Sequence, residues 1–168
     1  FEKKTKKKLS LEAFYSNIKL LHSAIISYYA KIQENKLDEP TTIELERIIL
    51  ASRNIMNAAK NFKGIRSDLE DFDSSDSDYL NKQYDRFRKR LISLYHQLNE
   101  VFLLKDPEEK YKAVIKAFQQ VEVADNLFIK DTVKAAPGNL FPQMDLATLF
   151  LANRLFTQAC RMLIFGSK

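Results

Sequence analysis

Apolar residues recur along this chain at alternating steps of three and four, and the runs are long enough to constrain the fold more than any other feature. One run is Leu11, Phe14, Ile18, Leu21, Ile25, Tyr28 and Ile32; another is Leu80, Tyr84, Phe87, Leu91, Leu94, Leu98 and Val101. A mean step near three and a half keeps every member on one side of an α-helix, so each run is a seam for a second helix. With only three glycines and four prolines in 168 residues, little interrupts these segments. The expected fold is all-α, an up-and-down antiparallel bundle of about five long helices. Such a bundle has few loops on which to build a catalytic centre, and a non-enzymatic role is expected.

The element boundaries follow from turn and cap residues. Ser10 is the expected N-cap of a first helix that runs to near Asn35, and Pro40 is expected to close the turn after it. A second helix starts at Thr41 or Thr42 and carries Leu45, Ile48, Ser52, Ile55, Ala59 and Phe62, with Ser52, Ala58 and Ala59 small enough for close helix approach. Asp68 to Asp78 holds six acids and three serines in eleven residues, a composition that favours a solvated connection over a packed helix. The third helix spans about Asp78 to Leu104. Asp106 and Pro107 then start a fourth, whose stripe of Tyr111, Val114, Phe118, Val121, Asp125 and Phe128 runs to about Val133. Ala135 to Asn139 and the pair Phe141 and Pro142 break the pattern before a last helix from about Asp145 to Phe165. The domain reading is a basic tail over residues 1–9 and one helical-bundle domain over 10–168.

Composition narrows the partners. The apolar share of 45% and charged share of 29% are those of a soluble globular chain, and no apolar run approaches the ~20 residues that span a bilayer. The start, Phe-Glu-Lys-Lys, has no apolar centre of a secretory signal, and the lack of an initiating methionine is expected of a piece of a longer protein. Of the net charge of +5, most comes from five lysines between Lys3 and Lys8. The remainder is nearly neutral, so no nucleic-acid partner is expected. The lysine run reads as a solvated terminus that anionic lipid would also attract.

Sites are sparse. The glycines, Gly64, Gly138 and Gly166, are too far apart for a phosphate-cradling loop. His22 and His96 lack a ligand at helical metal spacing, and Cys160, the single cysteine, shares a face with Asn153, Phe156 and Leu163 and reads as a packed thiol. Glu44 with Glu46 and Glu122 with Asp125 are paired acids that read as charged surface; for a metal-binding bundle, Glu122, Asp125 and His96 are the candidate ligands. No catalytic residue, cofactor or metal is expected. Asn153 falls on the apolar face of the last helix and needs hydrogen bonds if buried, which points to a cross-helix bond, with Arg154 the polar neighbour beside it. These two are the candidate interhelical or interaction positions.

Two stretches are similar to a known family. Leu45 to Asn61 resembles the helix that carries the Glu-Arg-Ile-Gly-Asp-His-Ala-Glu-Asn signature of the PhoU-like cytoplasmic domain at the C-terminus of bacterial sodium/phosphate cotransporters. Ile55, Ala59 and Asn61 agree with it, whereas the family's metal-binding positions fall on Arg53, Asn57 and Ala58, which removes acidic oxygens. Asp145 to Leu155 resembles a closing helix of these domains, in which an Asn-Arg pair follows a run of leucines. The resemblance implies a long antiparallel bundle at the cytoplasmic face of the inner membrane, joined through its N-terminal side to membrane-spanning segments.

The function expected from this resemblance is that of a non-enzymatic regulatory or accessory domain for phosphate transport, with no small-molecule substrate of its own. Its partners would be the membrane-spanning part of the parent transporter and, through helix faces, a further copy. The alternatives are a free-standing helical adaptor that docks peptides or helices, and a carboxylate metal-binding bundle.

Overall fold

The computed structural model describes residues 10–33, 37–138 and 143–167. Among the described residues six α-helices follow one another: α1 Leu11–Ile32, α2 Glu39–Gly64, α3 Arg66–Ser74, α4 Asp78–Leu103, α5 Pro107–Ala135 and α6 Gln143–Gly166, with a 3-10 turn at Ala136–Gly138. Five are long and α3 is short, so the chain is an all-α helical bundle. The tail 1–9, Asn35, Asn139 and the Phe141–Pro142 break lie outside the described residues.

Side-chain caps start the helices where the sequence places them. Ser10 accepts from the Ala13 amide at 3.2 Å, Ser77 from Leu80 at 3.4 Å and Asp106 from Glu109 at 2.8 Å. One start differs from expectation. Asp38 caps α2 by accepting from Thr41, so Pro40 lies inside the first turn of α2 and does not mark a stop. A first-turn amide has no intrahelical acceptor, and proline loses nothing by lacking it.

The core is assembled from residues seven apart. Leu80, Phe87, Leu94 and Val101 of α4 are buried, as are Val114, Val121 and Phe128 of α5 and Leu149 and Phe156 of α6. The Phe87 ring touches Phe128 and Phe156 at centroid separations of 5.3 and 5.0 Å, tying three helices together. Phe118 on Phe165 and Glu122 on Arg161 place α5 antiparallel to α6, and α4 is likewise antiparallel to α5, so α4 and α6 run parallel. Phe62 meets Phe156 near one end of α2 while Gly166 meets Ala51 and Ile55 further back, so α2 is antiparallel to α6 as well. Among the described residues the contact between α2 and α6 is the most extensive of those between helices. Ala58, fully buried, lets the α2 backbone approach.

Two expectations are corrected here. The acidic stretch is not wholly a solvated connection: residues 66–74 form α3, whose Phe72 is buried and whose Leu69 packs on the core. Those two apolar side chains, three apart, anchor one helical face while Glu70 pairs with Arg66 at 2.7 Å on the outside. The connection proper is reduced to residues 75–77. The second correction concerns α1, which packs chiefly on α2 and has no buried residue. Three of its seven seam residues, Ile18, Ile25 and Ile32, are partly covered, whereas Leu11, Phe14, Leu21 and Tyr28 are exposed. A broad apolar stripe against a single neighbour leaves one edge bare.

Candidate interaction surface

Uncovered apolar residues occur on all five long helices, Val123, Leu127 and Val133 of α5 and Leu151 of α6 among them, and those of α1, α2 and α4 include rows at helical spacing. On α1, Leu21 and Tyr28 are each 65% exposed, and Leu20 and Phe14 add to the same helix. On the neighbouring α2, Ile48, Leu50 and Ile55 are exposed, although Ile48 and Ile55 belong to the expected seam. On α4, Tyr95 and Phe102 stand 69% and 64% exposed, seven residues apart. They share a groove of about 610 Å³ with Leu91, Leu98 and, from α6, Leu163. Scattered exposed apolar side chains are ordinary on a protein surface, but contiguous rows at helical spacing mark contact sites for other polypeptides or membranes.

A polar network joins α4, α5 and α6. Arg90 Nη1 donates to Asn153 Oδ1 at 2.8 Å and Nη2 to Thr157 Oγ1 at 3.1 Å. Asn153 Nδ2 and Thr157 Oγ1 in turn donate to one oxygen of Asp125, at 2.6 and 2.9 Å. Asn153 and Thr157 are buried, and a turn of helix places both side chains toward the same partners. The guanidinium lies 4.8 Å above the Phe156 ring, a cation–π contact. Burial pushes the Arg90 pKa down from its ordinary value. Close by, Arg161 grips Glu122 with two bonds of 2.6 and 2.8 Å, and that hydrogen-bonded carboxylate raises the Arg161 pKa.

The residues singled out from the sequence fall into different places. Asn153 makes the cross-helix bonds just described, whereas Arg154 is exposed. Ala58 is buried, Asn57 half-buried and Arg53 exposed, so the three positions that match the family's metal ligands are spread around α2. Glu122 and Asp125 are engaged by Arg161 and by Asn153 and Thr157, and His96 is exposed against the Tyr95 ring edge. No group of three or more His, Cys, Asp or Glu converges on a possible metal position among the described residues. His22 Nδ1 lies 2.8 Å from Ser52 Oγ and links α1 to α2. Glu44 pairs with Arg47 at 3.8 Å on the surface, and Glu46 is exposed. Cys160 is buried and its thiol is pushed up to about 12 by desolvation.

Sequence reading overlooked Arg90 and Thr157. The signal for both was present: Arg90 lies between Phe87 and Leu94 on the seam side of α4, and Thr157 follows Asn153 by one helical turn. Comparison with known proteins returns no match to a family model, a curated protein or a solved structure. Among the described residues, no helix is long and apolar enough to cross a membrane.

Proposed function

We propose that this chain is a non-enzymatic accessory or regulatory domain that works by offering helix faces to another polypeptide, the membrane-spanning part of a sodium/phosphate cotransporter-like protein. The observation that carries the reading is a pair of uncovered apolar faces, one on α1 with α2 and one at the α4/α6 groove. The resemblance of residues 45–61 and 145–155 to the cotransporter domain supplies the identity of the partner. The lysines of residues 3–8, next in sequence to α1, suit a position beside an anionic lipid surface at the cytoplasmic face of the inner membrane. On this reading the signal passes as a change in helix packing, since a packed interface switches between discrete arrangements rather than deforming smoothly.

Sodium-dependent phosphate uptake tests the proposal. Cells that express the parent reading frame are compared with cells in which residues 10–168 have been removed, at equal membrane abundance. Altered uptake, or altered response of uptake to phosphate supply, is the expected result. Unchanged uptake with unchanged control contradicts it.

A second reading is favoured by the α4/α6 groove alone. Leu91, Tyr95, Leu98 and Phe102 present apolar groups at steps of four, three and four, which suits an amphipathic helix laid alongside. A free-standing adaptor would use the same groove without any transporter, and normal uptake after removal of the domain would favour it.

A further inference from the structure

A second cavity, of about 360 Å³, opens between α4 and α5 above α6, and its chemistry differs from that of the apolar groove. Its volume is within the range of small-ligand sites. Lys89, Arg90, Ser93 and Gln97 of α4 and Gln120 of α5 give it a polar wall. Leu94, Val121 and Cys160 form an apolar part.

Arg90 is the group that makes this cavity specific. A guanidinium has five N–H donors, and Arg90 uses one on the Asn153 carboxamide and one on the Thr157 hydroxyl. Both acceptors are neutral. No carboxylate of the described residues forms an ion pair with Arg90 or with Lys89. Asp125, the acid of the network, receives Asn153 and Thr157 on one oxygen and acts on Arg90 through its charge without a direct hydrogen bond. Cys160 adds no negative charge beside it, because burial keeps its thiol protonated through the physiological range. Two cations, one held in a fixed orientation and one on a flexible stem, thus border a cavity that has hydroxyl and carboxamide groups on its wall and hydrocarbon at its base.

We propose that this cavity binds a small organic carboxylate, its carboxylate held by Arg90 and Lys89 and its apolar body against Leu94, Val121 and Cys160. A guanidinium fork matches the two oxygens of a carboxylate, and a partly desolvated site strengthens that contact. The apolar base selects a hydrocarbon-bearing acid over inorganic phosphate. Because the cavity touches α4, α5 and α6, occupancy would stiffen the network that joins them. The inference is independent of what the apolar faces bind.

Isothermal titration calorimetry of the whole chain with acetate, hexanoate, benzoate and inorganic phosphate, at constant ionic strength, tests it. Saturable binding is expected for hexanoate and benzoate, with acetate and phosphate at least about tenfold weaker, the effect of losing apolar contacts worth ~1.4 kcal/mol or more. Ser93→Phe, which fills the mouth from an exposed position, should abolish binding, and Lys89→Gln should weaken it several-fold. Arg90→Gln should weaken it about tenfold or more, and should also remove the rise in Tm that a ligand selective for the folded state produces. If Arg90→Gln fails to fold, the two exposed variants decide the matter. Absence of saturable heat from any carboxylate up to about 10 mM overturns the proposal, as an affinity that weak leaves little specific binding energy. Phosphate binding as tightly as hexanoate, or binding unaffected by Ser93→Phe, also overturns it.

Discussion

Asn153 and Asp125 are joined by a 2.6 Å hydrogen bond across the α5/α6 contact, and the same Asn153 accepts from Arg90 of α4. One carboxamide thereby bridges a cation and an anion that form no direct ion pair. Its amide face donates to Asp125 while its carbonyl face accepts from Arg90, an orientation that only a side chain with both functions supplies. Thr157 Oγ1 links the same two groups, so replacing Asn153 removes one of two bridges between a partly buried cation and its anion.

Asn153→Ala is expected to destabilise the fold by about 3 kcal/mol, the scale for losing hydrogen bonds to charged partners inside a protein. Asn153→Asp should also destabilise, because a second carboxylate would face Asp125 in place of a donor. Urea unfolding of both variants measures this. A loss below about 1 kcal/mol in each would show that water replaces the bridge at little cost.

Gly166→Ala is expected to lower stability by about 1–2 kcal/mol through overpacking. A β-carbon there would lie 2.9 Å from Ile55 Cγ1 and 3.2 Å from the Ala51 carbonyl oxygen, so the end of α6 would have to move off α2. Ile55→Ala in the same chain should restore part of the loss. Thermal unfolding of the single and double variants checks the coupling, and additive effects would contradict it.

Cys160 should be unreactive toward iodoacetamide near pH 8 in the folded chain and should react at an ordinary rate once urea unfolds it. Its folded pKa is raised above the reference of 9.0 to about 12 by burial. The unfolded chain therefore ionises first as pH rises. The stability linked to this thiol is present below about pH 9 and is lost progressively between about 9 and 12. Cys160→Ala should flatten that part of the alkaline stability curve, as followed by unfolding at a series of pH values.

The bundle was legible because the seven-residue spacing of Leu80, Phe87, Leu94 and Val101 is also a spacing in space. The caps at Ser10 and Asp106 were equally plain. α3 was obscured because its acids outnumber Leu69 and Phe72, and the benefit of burying those two depends on a core built by distant segments. Pro40 is ambiguous locally, since it can follow one helix or open the next, and the Asp38 cap decides between them. Periodicity places Phe14, Leu21 and Tyr28 on a seam, yet whether a neighbour covers them depends on how many helices surround α1. Arg90 was missed because a charge in a seam reads as surface until Asn153 and Thr157 are seen opposite it.

The uncovered residues of α4 give a further expectation. Tyr95→Lys with Phe102→Glu should leave the unfolding free energy within about 0.5 kcal/mol, as both side chains stand mostly outside the core. A large loss would mean that these residues hold the bundle together instead of serving a partner.

If, as proposed, this chain is a domain of a sodium/phosphate cotransporter-like protein, the most direct test is sodium-dependent phosphate uptake by that protein carrying this same pair of substitutions, measured at matched membrane abundance against the unaltered protein. If the α4/α6 groove is where the domain meets the transport segment, uptake or its response to phosphate supply changes although the domain remains folded. Identical uptake and identical control, with the folded domain intact, would contradict the claim that this face carries the function.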